Sequence, residues 1–169
     1  MPTYVAFLRA VNVGGTGKLP MVELRAMCES IGLANVRTYI ASGNVVFQSP
    51  LSEAAVKARL ERCLEDYAGK AVGVLVRTGN ELAAVLRDNP FKSAAPNRTV
   101  AIFLDTPPPP DALASATGRQ AEEIALGTRE IYVHYGEAMA HSKLKIPATR
   151  AGTARNINTI TTLVAWAAE

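Results

Sequence analysis

The sequence is poor in the residues that usually carry chemistry. It has two histidines, two cysteines and one tryptophan, and aromatic residues fill only 6% of its 169 positions. Cys28 and Cys63 form no CxxC pair, and His134 and His141 add too few ligands for a zinc site of ordinary spacing. No metal and no cofactor is therefore expected. The scarcity of aromatics makes platforms on which nucleic-acid bases stack scarce as well. No apolar run approaches the ~18 residues that a membrane-spanning helix requires, so no membrane partner is expected. The opening MPTYVAFLRAVNVGG has no basic leader region and is interrupted by Arg9, which argues against a signal peptide. Charge is also sparse: 18 basic and 15 acidic residues leave a net +3, which permits an anionic partner without requiring one.

What the chain does have is core material. Apolar residues make up 49%, charged residues 20%, and the mean hydropathy is +0.09, a balance that excludes a disordered chain. At this length the material suffices for one compact domain or two very small ones without disulfide staples. Cys28 lies at helical spacing with Leu24, Met27 and Ile31, and Cys63 lies beside Val56, Leu60 and Leu64. Both read as reduced thiols on apolar helix faces of a cytoplasmic bacterial protein.

Along the first half, Tyr4 to Val11 reads as a strand, followed by the loop Asn12-Val-Gly-Gly-Thr-Gly-Lys18. Pro20 suits a first helical turn, and Met21, Leu24, Met27, Cys28 and Ile31 recur at helical spacing up to Gly32. Val36 to Ala41 and Asn44 to Gln48 read as a hairpin turning through Ser42-Gly43. Ser52 caps a helix that runs to about Tyr67 and closes at Gly69, and Val72 to Val76 is a short apolar strand. This order is the split βαβ, ferredoxin-like arrangement, with both helices on one face of an antiparallel sheet.

The second half starts with a helix capped by Asn80, and Val100 to Leu104 reads as a strand. Pro107 to Pro110 exclude regular structure, and a short helix is expected from Asp111. Strands follow at Glu123 to Leu126 and Glu130 to Tyr135. The segment from His141 to Arg155 reads as a basic loop, and Asn156 or Asn158 caps a last helix. The fold expected is α+β: two tandem ferredoxin-like, αβ-plait units, residues 1–78 and 79–169. Several strands are apolar on both faces, so the antiparallel sheets should be docked through a shared core.

Two stretches attract attention as sites. The glycine-rich loop follows a strand and precedes a helix, as a phosphate loop does. That pattern, however, needs glycine at position 12 and a hydroxyl residue at 19, where this chain has Asn12 and Leu19. What remains is a weaker anion site, using backbone N–H groups with Arg9 or Lys18, or a plain turn. The second stretch lies between Ala138 and Ala168. It contains no acid but carries Lys143, Lys145, Arg150 and Arg155, with Ser142, Asn156 and Asn158 among them at the start of a helix. Cations beside a helix N-terminus attract phosphate or carboxylate. No G-x-S-x-G elbow marks a serine nucleophile, the pattern of RNA-binding sheets is missing, and catalytic residues stay unassigned.

The opening YVAFLRAVNVGGTGKLPMVELR and the following VRTYIASGNVVFQS resemble the bacterial domain-of-unknown-function family numbered 1697 (DUF1697). The later DNPF, SKLKIPA and GTARNINT are similar to that family's other hallmarks, so the resemblance spans essentially the whole chain. It implies two αβ-plait units in tandem and no established activity, substrate or catalytic residue. Three functional readings follow. In the first, a groove between the units binds an anionic ligand (a nucleotide, nucleic acid or phosphorylated metabolite) through Arg9, Asn12, Lys18, Ser142, Lys143, Arg155, Asn156 and Asn158. In the second, a small enzyme orients a phosphorylated or carboxylated metabolite with Arg9, Lys143 and Arg155, assisted by His141 or Asn156. The third is an interaction module without a ligand site. The oligomeric state is not readable from the sequence.

Overall fold

The structure is a computed structural model and describes residues 1–9, 11 and 18–169, the side chain of Ala138 excepted. Asn12 and the glycine-rich loop thus lie outside the described residues. Among those described, the chain forms two four-stranded antiparallel sheets and four α-helices. It divides into two compact units: Met1–Leu82 with Leu163–Glu169, and Ala83–Thr162.

The first unit contains β1 (Thr3–Leu8), α1 (Met21–Ser30), β2 (Ala34–Tyr39), β3 (Asn44–Gln48), α2 (Glu53–Ala68) and β4 (Val74–Thr78), with sheet order β2-β3-β1-β4. The central strand β1 sets the register: Ala6 lies opposite Val45 on one side and Val76 on the other. Side chains alternate across a strand, so Tyr4, Ala6, Leu8, Val45, Phe47, Val74 and Val76 share one face. That face packs against Leu24 and Cys28 of α1 and Val56, Leu60 and Leu64 of α2. The two helices form because their apolar positions recur at intervals of three and four. Ser52 accepts the Ala55 N–H at the start of α2, and Gly69 adopts the left-handed conformation that ends it. Lys57 and Glu61 then clamp α2 to β4, the ammonium donating to the Val74 carbonyl at 2.5 Å and the carboxylate accepting the Val74 N–H at 3.1 Å.

The opposite face of this sheet is buried too. Val5, Phe7, Val46, Leu75 and Arg77 are almost inaccessible. At its β2 edge, Arg37 and Tyr39 receive the end of the chain: the Trp166 ring meets Tyr39 edge-on at 5.2 Å, and the Arg37 guanidinium stacks 3.9 Å above it. Arg37 also forms an ion pair with Glu169.

The second unit contains β5 (Thr99–Phe103), β6 (Glu123–Leu126), β7 (Glu130–His134) and β8 (Thr153–Asn156), in the order β6-β7-β5-β8. Numbered within its own unit, this is the order of the first sheet. Val100, Ile102, Leu104, Ile131, Val133 and Ile146 form its core. The division between units falls within two helices, α3 (Gly79–Arg87) and α4 (Ile157–Ala167).

Three local expectations change. The cap of α3 is Thr78 rather than Asn80, because Thr78 Oγ1 accepts the Glu81 N–H at 3.1 Å while Glu81 accepts the Thr78 N–H at 2.9 Å, a reciprocal capping box. The segment from Asp111 is a run of turns, not a helix. One i,i+4 bond, Ser115 N–H to Asp111 O, is not continued. The chain turns instead through Gly118, where a Cβ would sit 2.1 Å from the Lys143 carbonyl oxygen. The basic stretch is not all loop either, since it holds β8. The short sequence Thr-Ala-Arg-Asn carries no strand signal of its own; pairing along β5, with Ala101 opposite Arg155, makes it one.

The protein's single tryptophan makes the C-terminal contact measurable. Arg37→Ala removes an exposed stacking and ion-pair partner, each worth at most about 1 kcal/mol at the surface. The expected result is a red shift of Trp166 emission with a loss of at most about 2 kcal/mol in urea unfolding followed by fluorescence.

Candidate functional site

In the first unit, the end of β1, the start of α1, the end of α2 and the approach to β4 meet around a cleft of about 270 Å³. Val11, Leu19, Leu64 and Val72 supply its apolar wall, and Lys18, Lys70 and Tyr67 its polar members. The placement follows from local structure. Val11 and Leu19 are buried anchors on either side of the glycine-rich stretch, which bring Lys18 back beside the sheet. The left-handed Gly69 turns the chain after α2, so that Lys70 and Val72 come back along the same opening. Both lysines are exposed, whereas Leu64 is fully buried. The Tyr67 phenol hydrogen-bonds Glu23 of α1, and that carboxylate pushes its pKa up.

Cys28 belongs to the same core cluster as Val11, Leu19 and Leu64. Cys28 is buried, and desolvation, helped by Cys63 and Glu29 nearby, pushes its thiol up to about 12. Cys63 is half-buried and also raised, chiefly by burial. Both are free thiols held in the unreactive protonated form.

Of the residues singled out in the sequence, Arg9 and Lys18 belong to the first unit, and Ser142, Lys143, Arg155, Asn156 and Asn158 to the second. Arg9 follows β1 and is exposed, its N–H donating to the Gly73 carbonyl at 2.9 Å. Lys18 reaches the cleft. Lys143 and Asn158 are exposed. Arg155 is buried on β8 and donates from Nη1 to Thr153 Oγ1 and the Ala154 carbonyl, both at 2.9 Å. Desolvation draws its pKa down to about 10, so the guanidinium stays charged at neutral pH. Asn156 points to the other face of β8 and caps α4 by accepting the Thr159 N–H at 2.9 Å. His141 is exposed in a 3-10 turn, Gly136–His141.

Ser142 shows why linear charge misleads. Its hydroxyl donates to Glu122 Oε2 at 2.5 Å and accepts the Leu144 N–H at 3.3 Å. A stretch without acids in the sequence thus meets a carboxylate in space. The Ser142 hydroxyl, with the backbone N–H groups of Gln120 and Glu122, holds the Glu122 carboxyl below its ordinary range. A carboxyl depressed in the folded state stabilises above its unfolded pKa, and that contribution is lost as pH falls through the folded value. Ser142→Ala should therefore destabilise the protein at neutral pH, with the gap from the parent shrinking through the acid range. Urea unfolding at stepped pH measures it.

His134 and Tyr132, which alternate on one face of β7, are covered rather than displayed. Tyr132 donates its hydroxyl to the Val85 carbonyl at 2.7 Å, and Phe91 lies 6.1 Å from the His134 ring. Thr99 Oγ1 donates to the Ala95 carbonyl and lies 3.0 Å from His134 Nδ1. With the hydroxyl proton on the Ala95 carbonyl, the imidazole is the donor of this contact, from Nδ1. Nitrogen-15 NMR should show the Nδ1-protonated tautomer in the parent, and Thr99→Val should move the population toward Nε2–H.

Lys70 and Tyr67 were missed by sequence reasoning. The available signal was topological. In a split βαβ unit the C-terminus of the second helix returns to the end of the sheet where the first strand finishes, so residues flanking Gly69 face the stretch after Val11.

Among the described residues, no three His, Cys, Asp or Glu side chains gather as a metal cluster, and no helix is long and apolar enough to cross a membrane. Two four-stranded antiparallel sheets and four helices among the described residues make this an α+β protein, with a cleft lined by apolar residues and two lysines in its first unit. The chain belongs to DUF1697, described as a protein of unknown function, whose profile matches residues 1–132. Its fold is similar to that of the conserved bacterial protein SP0830 from Streptococcus pneumoniae, at 25% identity and a TM-score of 0.81 over 98% of each chain. A search of curated proteins finds no match.

Proposed function

We propose that the protein binds a small anionic ligand at the cleft of the first unit. The observation that carries this reading is that two exposed lysines, Lys18 and Lys70, line one mainly apolar cleft of about 270 Å³. Pockets of roughly this size, apolar with a few placed polar groups, are the usual form of small-molecule sites. Two ammonium groups there attract an anion, while the apolar wall excludes water from behind it. The reading is placed on residues of the first unit rather than on the groove between units suggested by the sequence. In the second unit, Ser142 is engaged by Glu122, Arg155 is buried, and Asn156 is committed to its cap, which leaves those side chains less to offer a ligand.

The same proposal extends to fold and compartment. The shared strand order of the two sheets supports a tandem of ferredoxin-like plaits. In the second, turns and 3-10 turns stand in place of the two crossover helices. Two free thiols suit the reducing cytoplasm.

The test is a titration followed by amide NMR, with inorganic phosphate, a nucleoside monophosphate, short carboxylates and an oligonucleotide as probes. Shifts should concentrate at Leu19, Tyr67 and Lys70. They should weaken at least tenfold in apparent affinity in Lys18→Ala combined with Lys70→Ala. Silence across the panel, or binding that ignores the double substitution, would overturn the reading.

A further inference from the structure

Tyr67 decides what the cleft can recognise. Three of the residues that line it, Val11, Leu19 and Leu64, are buried and leave a ligand little surface to touch. The accessible lining is Lys18, Tyr67, Ala68 and Lys70, all exposed, with Val72 half-buried among them. Tyr67 is 45% exposed, and every other Phe, Tyr or Trp among the described residues is buried or half-buried. The aromatic ring that the fold leaves to solvent therefore lines the same cleft as two lysines.

Local structure places these groups. Tyr67 belongs to the last turn of α2, which the Gly69 N–H closes on the Glu65 carbonyl at 2.8 Å. Gly69 then takes a φ of 73° and turns the chain to Lys70. A Cβ at Gly69 would meet no atom within 4 Å, so the space at the turn between Tyr67 and Lys70 is open. Lys18 comes from a different part of the chain, next to the buried anchor Leu19.

An exposed phenol ring in the company of two cations sorts ligands by chemistry. A cation, which would otherwise suit the π face, is repelled by Lys18 and Lys70. A bare inorganic anion uses the lysines and leaves the ring in water. An anion on a saturated carbon frame covers the ring but gains only the area it removes from water. A flat aromatic ring covers the same area and adds offset stacking, worth about a two- to tenfold gain in affinity. At about 270 Å³ the cleft has room for one ring system with its acid group. We propose, resting on the reading of this cleft as an anion site, that its ligand is an anion built on a flat aromatic ring. The ring stacks on Tyr67, and Lys18 and Lys70 hold the acid group. An aromatic carboxylate and a nucleoside monophosphate share that chemistry.

The experiment is an NMR titration of the whole protein with matched pairs: benzoate beside cyclohexanecarboxylate, and a purine nucleoside monophosphate beside ribose phosphate. Within each pair the acid group is the same and one member alone carries the flat ring. That member should bind more tightly, by about threefold or more for the carboxylates and about fivefold or more for the phosphates. The pair with the higher affinity identifies the source of the ring. Stacking also has a spectroscopic signature, because the ligand's ring protons should move upfield under the Tyr67 ring current. Tyr67→Phe should keep both the preference and the upfield shift, whereas Tyr67→Leu, at an exposed position that the fold can absorb, should erase them. Equal affinity within both pairs would overturn the proposal, as would a preference that survives in Tyr67→Leu. If either result came with binding still lost in the Lys18→Ala and Lys70→Ala combination, the anion site would stand and only its ligand class would fall. No binding by any probe would overturn both.

Discussion

A central strand that is apolar on both faces governs the first unit. Val5, Ala6, Phe7 and Leu8 of β1 are all inaccessible to solvent, so neither side of the sheet can be left to water. One face is covered by α1 and α2, whose spacing of apolar residues suits that role. On the other, Arg37 and Tyr39 at the β2 edge take Trp166 from the far end of the sequence. An antiparallel sheet commonly keeps one wet face; this one does not, and the last residues of the chain belong to the same unit. In the second unit β5 plays the same part, with Thr99, Val100, Ala101, Ile102 and Phe103 all buried between β7 and β8.

That constraint also decides which charges are available. Arg77 is buried on the second face of the first sheet and Arg155 on β8 of the second. Each takes part in backbone hydrogen bonding through a neighbouring carbonyl, Val76 for one and Ala154 for the other. A buried guanidinium costs desolvation free energy, visible in the lowered pKa of Arg155. Charge that a count over the sequence treats as surface attraction is thus partly spent inside. Lys18 and Lys70, exposed cations that line a cleft, lie in the first half of the sequence, away from the stretch with the greatest local excess.

The cleft itself is a consequence of chain turns more than of side-chain pattern. Gly69 takes a left-handed conformation because α2 must stop and the chain must reverse toward β4. Val11 and Leu19 are pulled into the core on either side of the glycine-rich stretch. Between these fixed points the lysines have little choice of neighbourhood. The fold thereby collects functional candidates about fifty positions apart, Lys18 and Lys70, that no local motif connects.

Local pattern by itself determined the order of elements in the first unit, the hairpin from β2 to β3, β6 with its bounds at Glu123 and Leu126, the cap at Ser52, the choice of Asn156 or Asn158 for the last cap, and the burial of Cys28. These depend on neighbours within a few residues, through repeat spacing, capping hydrogen bonds and left-handed glycine. It also reached the family, through motifs spread along the chain. Tertiary structure decided the rest. It made β8 a strand because β5 offered a partner, and it carries the Asp111 segment through turns to Gly118, which lies against the Lys143 carbonyl. It brought Glu122 to Ser142 across a gap in sequence, buried Arg155, and set Lys70 beside Lys18. Each of these depends on which groups meet after long-range pairing, and a one-dimensional pattern holds no such distances.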